Sequence, residues 1–292
     1  KTFLTIGSML AVVSLSAQTV TIPIETASNV IVLQTDSESR LRTVYFGEPL
    51  AKESDYATIS SLTRLDDDNI GIHNAAYTPA GTWNLVEPAI QVKHGDGNAA
   101  LELKYVTHKK ERVDDNTSIT SIQLKDPKYP FNVTLFYKVW KKENVIEQWT
   151  EIKHTEKKPV LLEKYASANL YFSNKDFYLT TYQGQWAKEM QPTEAKLERG
   201  MRSIETKLGA RAMLLQSPNF ILSFGQPAKE DDGLVMLGQL AWSGNFKMEF
   251  EVDPYENLRF ISGINPYASE YSLVPNQTFK TASLIYAVSN NG

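Results

Sequence analysis

The sequence predicts an all-β domain of stacked antiparallel sheets with few or no helices. Three observations carry that prediction. Apolar and polar residues alternate at period two along many short runs, turn formers separate those runs at close spacing, and no stretch sustains a helical stripe. A length of 292 residues suits one large all-β domain or two close-packed ones, and a 42% apolar content allows a sizeable core.

In chain order, the first element is a leader. Lys1 precedes the apolar run Phe3 to Val13, and Ser14-Leu15-Ser16-Ala17 places small residues at the −3 and −1 positions of a cut before Gln18. That order predicts a signal peptide over residues 1–17, too short to span a membrane. The mature chain, 18–292, is therefore expected to be exported, to the periplasm or the extracellular space. No other run approaches membrane length.

The expected strands follow. Ile119–Leu124 alternates, and Asn132–Trp140 and Val145–Ile152 flank the polar turn Lys141-Lys142-Glu143-Asn144, which predicts a hairpin. Val160–Tyr171, Phe177–Tyr182, Phe220–Phe224, Leu234–Trp242, Leu258–Ile264 and Phe279–Val288 read as further strands. Phe246–Val252 places its apolar side chains on one face and Lys247, Glu249 and Glu251 on the other, where a solvated strand face is expected. Gly95-Asp96-Gly97, Asp126-Pro127, Asp231-Asp232-Gly233, Ser243-Gly244-Asn245 and Asp253-Pro254 supply the turns. Glu194–Met201 is the best stretch for a short helix, weakened by Gly200 and by the lack of an apolar stripe.

Composition excludes much chemistry. A net charge of −4 offers no long-range attraction to nucleic acid or an anionic membrane. The absence of cysteine removes disulfides, thiolate nucleophiles and cysteine-based zinc sites. His73, His94, His108 and His154 show no metal-ligand spacing. Asp66-Asp67-Asp68 lacks the alternation of a calcium loop and reads as a solvated turn. There is no Gly-x-Ser-x-Gly elbow, phosphate loop or dinucleotide fingerprint. Sugar hydrolysis needs two carboxylates flanking the scissile bond, and no pair stands out here. No catalytic residue, metal or cofactor is expected within the chain.

Trp140, Trp149, Trp186 and Trp242 lie in or beside strand-like runs, which predicts core packing. Trp83 differs, because Tyr77-Thr78-Pro79-Ala80-Gly81-Thr82-Trp83-Asn84 is a Pro/Gly loop. An aromatic ring there can face a sugar, with Asn84 bonding its hydroxyls.

Several blocks in fixed order resemble the N-terminal domain of glycoside hydrolase family 36. They are Gly81–Gly97 with its Glu87-Pro88-Ala89, Leu103–His108, Leu179–Glu189 with Gly184-Gln185-Trp186-Ala187-Lys188-Glu189, Ser203–Gly209, Leu240–Phe246, Arg259–Tyr267 and Leu273–Thr281. The resemblance implies a β-supersandwich of the galactose-mutarotase type, followed by a linker, a (β/α)₈ catalytic barrel and a small β-domain. It implies a retaining α-galactosidase whose Asp nucleophile and Asp acid/base stand on that barrel, beyond Asn290-Asn291-Gly292. This chain is then expected to act on no sugar alone, to pack against its own barrel, to form a homo-oligomer, and to lend a loop to the rim of the pocket for α-galactosides. The rim candidates are Asp55, Tyr56, Trp83 and Asn84. Ala210-Arg211-Ala212-Met213-Leu214 and Asn276 depart from the pattern and leave the exact sugar open. Two other readings remain: a free-standing carbohydrate-binding module, and an aldose-epimerase-like enzyme, which needs a His base and a Glu acid converging in one cleft.

Overall fold

A computed structural model describes residues 19–59, 66–67, 71–81, 84–173, 176–211 and 215–292. The leader read over 1–17 and the rim candidate Trp83 lie outside them. In chain order the strands are β1 (Thr21–Glu25), β2 (Val30–Thr35), β3 (Leu41–Gly47), β4 (Asp66–Asp67), β5 (Gly71–Ile72), β6 (Ile90–Lys93), β7 (Lys104–Arg112), β8 (Thr117–Lys125), β9 (Phe131–Trp140), β10 (Val145–His154) and β11 (Val160–Phe172). They continue as β12 (Phe177–Gln185), β13 (Lys188–Lys196), β14 (Gly200–Glu205), β15 (Leu215–Phe224), β16 (Leu234–Ala241), β17 (Phe246–Val252), β18 (Leu258–Ile264), β19 (Tyr271–Leu273), β20 (Thr278–Lys280) and β21 (Ser283–Ser289). A 3₁₀ turn, Glu53–Thr58, follows β3.

The strands form two large antiparallel sheets. One has ten strands, ordered β13-β12-β15-β16-β21-β10-β9-β8-β7, with β20 also pairing β10. The other has six, ordered β14-β17-β18-β11-β19, with β6 also pairing β11. The expected hairpin forms, and β9 and β10 pair from Trp140↔Val145 to Phe131↔His154. Between the sheets, alternating side chains interdigitate. Phe220 of β15 packs 4.8 Å from Phe260 of β18, and Phe250 of β17 lies 4.6 Å from Phe260. The domain is thus a β-supersandwich, as expected.

A three-stranded sheet, β1-β2-β3, caps the sandwich. Every residue of β2 is buried, because both faces of the strand are covered. Ile31 and Leu33 enter the main core, while Val30 and Val32 pack with Tyr56 in a second, small core. Phe46 of β3 ties the cap to both sheets, meeting Phe172 of β11 at 4.8 Å and Phe224 of β15 at 5.6 Å.

Three expectations need correction. Glu194–Met201 is not helical: Glu194 to Lys196 pair with β12, and Gly200, at φ +113°, opens β14. A left-handed backbone cannot continue a right-handed helix. Phe279–Val288 is two strands, because Thr281 interrupts the ladder by accepting the Thr150 N–H on its own Oγ1 at 2.9 Å. Of the four tryptophans outside the 77–84 loop, Trp149 is buried, but none joins the inter-sheet core. Trp149 and Trp140 lie on the outer face of the ten-stranded sheet, the first stacked on Phe136 at 4.9 Å and the second under Lys138. Trp186, 79% exposed, caps the β12–β13 hairpin, and Trp242, 40% exposed, follows the end of β16.

Candidate functional site: the clamped surface segment

The rim candidates separate into two places. Asp55 and Tyr56 stand on the 3₁₀ turn, over the face of β1-β2-β3 turned away from the main core. Tyr56 is buried, donating its hydroxyl to Glu25 Oε2 at 3.1 Å and accepting the Leu50 N–H at 3.1 Å. Its ring therefore anchors the turn, while Asp55 remains partly open to solvent. Asn84 is half-buried, its Oδ1 accepting the Ile72 N–H at 3.2 Å, and it borders a small depression with Arg40, Leu41, Tyr77 and Glu102. Leu41 belongs to the main-core side of the cap, so Asn84 and Tyr56 lie on opposite sides of the three-stranded sheet.

Sequence reasoning missed a second constellation. Outer-face residues of the six-stranded sheet are polar yet buried, because Gly71–Pro79 and the chain through Glu87 lie across them. Asn169 of β11 donates to Ala75 O at 3.2 Å and accepts from Thr78 Oγ1 at 3.0 Å. Tyr77 donates its hydroxyl to Ala166 O at 2.8 Å. Arg259 of β18, 1% exposed, donates through Nη2 to Glu87 O at 2.7 Å and to Glu251 Oε2 at 2.8 Å. Lys164 of β11 pairs with Glu87 and, at 2.6 Å, with Glu249. Lys247 closes the chain of charges on Glu249. His73 Nδ1 lies 3.4 Å from Asp253 Oδ2 at the far end.

This arrangement corrects the solvated face expected for Glu249, while Glu251 stays half-exposed. Glu249 is 3% exposed. Burial opposes its charge, but Lys164 and Lys247 together hold the carboxyl below its usual range. Burial likewise opposes Asp253, and His73 with the Asn257 and Tyr255 amides outweighs it, so this carboxyl is also lowered. Burial pulls the Arg259 guanidinium down against the pull of Glu251, Glu87, Asp253 and Glu249. The set fastens an overlying segment and leaves no carboxylate free: a glycosidase pair must face an open bond, and Glu249 lies closed between two lysines. One signal was available in the sequence. Arg259 is the lone charge inside Leu258–Ile264, and Lys164, with Glu163 beside it, interrupts the apolar run Val160–Ala166.

The histidines do not converge on a cleft either. His94 is buried, stacked 3.7 Å from the Tyr129 ring, with Nδ1 2.8 Å from Glu156 Oε1. The same carboxylate accepts the Gly95 N–H at 3.0 Å, so this His–Glu pair closes a turn. His154 is bonded to Leu273 O at 2.9 Å, and His108 is exposed beside Tyr105.

The family model of the glycosyl hydrolase family 36 N-terminal domain matches residues 39–274. The chain belongs to this family. Among curated relatives, α-galactosidase Mel36A of Lactobacillus acidophilus is 26% identical over 230 residues, 74% of this chain and 31% of the relative. The bifunctional α-galactosidase/sucrose kinase AgaSK of Mediterraneibacter gnavus is 24% identical over 92% of this chain and 31% of its own length. This family 36 domain therefore spans about a third of the relatives it matches. Among solved structures, α-galactosidase AgaA of Geobacillus stearothermophilus superposes with a TM-score of 0.85 at 23% identity, over 93% of this chain and 41% of that one. Other structures of AgaA hold raffinose and stachyose.

Proposed function

We propose that this chain is the non-catalytic N-terminal domain of an exported α-galactosidase that removes terminal α-linked galactose from oligosaccharides with retention of configuration. The observation that carries this reading is the family match over residues 39–274 in relatives three times as long, all of those cited being α-galactosidases. Among the described residues, the buried Glu249 and Asp253 are engaged by Lys164, Lys247 and His73, and the buried Asp126 accepts the backbone N–H groups of Glu102, Lys128 and Tyr129. The acid/base and nucleophile carboxylates belong to the remainder of the enzyme, and this domain seats that remainder and contributes to the pocket rim. Asp55, carried on the turn that Tyr56 anchors, and the 77–84 loop with Trp83 and Asn84 are the rim candidates. The ion network beneath Glu87 secures the chain three residues beyond Asn84. The leader over 1–17 carries the enzyme out of the cytoplasm, and the assembled enzyme is a homo-oligomer.

The test is incubation of the natural protein carrying this domain with raffinose and melibiose, following released galactose by NMR. Release of galactose first as the α-anomer supports the reading. Release as the β-anomer contradicts retention, and no release contradicts the activity.

A further inference from the structure

The ion network beneath Gly71–Pro79 runs short of partners at its far end. Tyr171 of β11 stands directly across from Arg259 of β18 in the antiparallel ladder. It lies two residues on from Asn169, so it shares the outer face of the six-stranded sheet with that guanidinium. Asp253 follows β17 on the same face, two residues past Glu251, and His73 of the overlying segment comes down beside it. All four side chains are buried, none of these residues being more than 5% exposed.

Arg259 bonds through Nη2 alone, and its Nε and Nη1 find no acceptor among the described residues. The Tyr171 hydroxyl and His73 Nε2 find no partner there either. Asp253 Oδ1 accepts the Tyr255 and Asn257 amides at 2.8 and 2.9 Å. Its Oδ2 has only long contacts, at 3.4 Å to Asn257 Nδ2 and 3.4 Å to His73 Nδ1. These groups feel one another: burial raises the Tyr171 hydroxyl, the Asp253 charge adds to the rise, and the Arg259 charge opposes it. A buried donor without an acceptor carries its whole desolvation penalty, and native interiors rarely leave one so, still less several together.

We infer that Tyr171, Arg259 and Asp253 form a binding site for ordered water, in which one molecule accepts from Arg259 and Tyr171 and donates to Asp253 Oδ2. Charge selects water over an anion. The cations Lys164, Lys247 and Arg259 already face the carboxylates Glu87, Glu249, Glu251 and Asp253. Counting His73 as a further cation only makes the two signs equal, so a buried anion would add charge with nothing to offset it. A small neutral molecule that both accepts and donates matches the N–H and O–H donors on one side and the carboxylate oxygen on the other. Bound there, it links β11 and β18 to the turn after β17, beside His73 of the segment that leads into the 77–84 loop.

Crystals of the natural protein that carries this domain, grown with bromide as the only halide, test the site. The expected result is density for a water within hydrogen-bond reach of Tyr171 Oη, an Arg259 nitrogen and Asp253 Oδ2, with no anomalous signal from bromide. Tyr171→Phe should lose that water and lower the melting midpoint, because it removes a hydroxyl that is bonded. A hydroxyl with no partner would behave oppositely, since removing it lifts a desolvation penalty and raises the midpoint. An anomalous peak at the site assigns an anion and overturns the inference. So does a structure in which Tyr171 and Arg259 bond protein acceptors directly with no water between them, and so does a midpoint that Tyr171→Phe leaves unchanged or raises. The density in the unaltered protein decides alone if the variant does not fold.

Discussion

Lys164 Nζ lies 2.6 Å from Glu249 Oε2, on the side of the six-stranded sheet turned away from the inter-sheet core, with both residues buried. Lys164→Met removes one member of a closed set and leaves Glu249 short of a partner, at a cost of about 3–5 kcal/mol. The double variant Lys164→Met/Glu249→Met should recover much of that loss, because replacing a whole buried pair with apolar groups of similar size is often neutral. Denaturant midpoints of the chain and both variants check this.

Acid should weaken the domain through the same face. Glu249 and Asp253 are lowered in the fold, so each contributes stability that is complete above its unfolded pKa, about 4.3 and 3.9. That contribution is lost as pH falls through the lower folded values. Lys247 behaves oppositely: burial lowers it, but Glu249 outweighs burial and raises it. Its contribution is complete below about 10.4 and is lost as pH rises through the folded value. Urea midpoints measured from pH 7 down to 3 should fall, and Glu249→Gln should flatten that fall.

Gly238 of β16 faces the Phe220 ring so closely that a Cβ would sit 2.3 Å from Cζ. Gly238→Ala must displace Phe220 from Phe250 and Phe260, and is expected to cost about 1–3 kcal/mol by overpacking. Phe260→Ala should cost more, about 3–5 kcal/mol, through the cavity it leaves. Thermal melts of the two variants should rank in that order.

Tyr56→Phe keeps the ring and removes the hydroxyl that joins Glu25 to the Leu50 amide. The expected loss is about 1 kcal/mol, since the half-buried Leu50 N–H is left without its acceptor. Hydrogen exchange should show the Leu50 amide opening sooner in the variant.

The strands that alternate cleanly were legible, with Phe246–Val252 found at its predicted bounds and Asn132–Trp140 found within one residue of its own. Leu258–Ile264, buried along almost its whole length, was found from its β-branched and aromatic content, but two other strands without alternation were not. β2 is covered on both faces, and β13 is exposed along its whole length, so neither shows period two. The ion network was hidden for a different reason. Lys164 stands 77 residues from Glu87 and 85 from Glu249, and only the pairing of β11, β18 and β17 brings them together. Of the rim candidates, Asn84 came from the Pro/Gly loop and Asp55 and Tyr56 from the family resemblance; Asp55 and Asn84 are partly open, whereas the burial of Tyr56 depends on a second core beneath the cap that no local signal gives.

The most direct measurement is hydrolysis of an aryl α-galactoside by residues 18–292 and, in parallel, by the natural protein that carries this domain. Turnover by the natural protein and none by 18–292 is the predicted result, with the cleaving carboxylates outside this domain. Turnover by 18–292 alone would contradict it and place a catalytic pair within the sandwich.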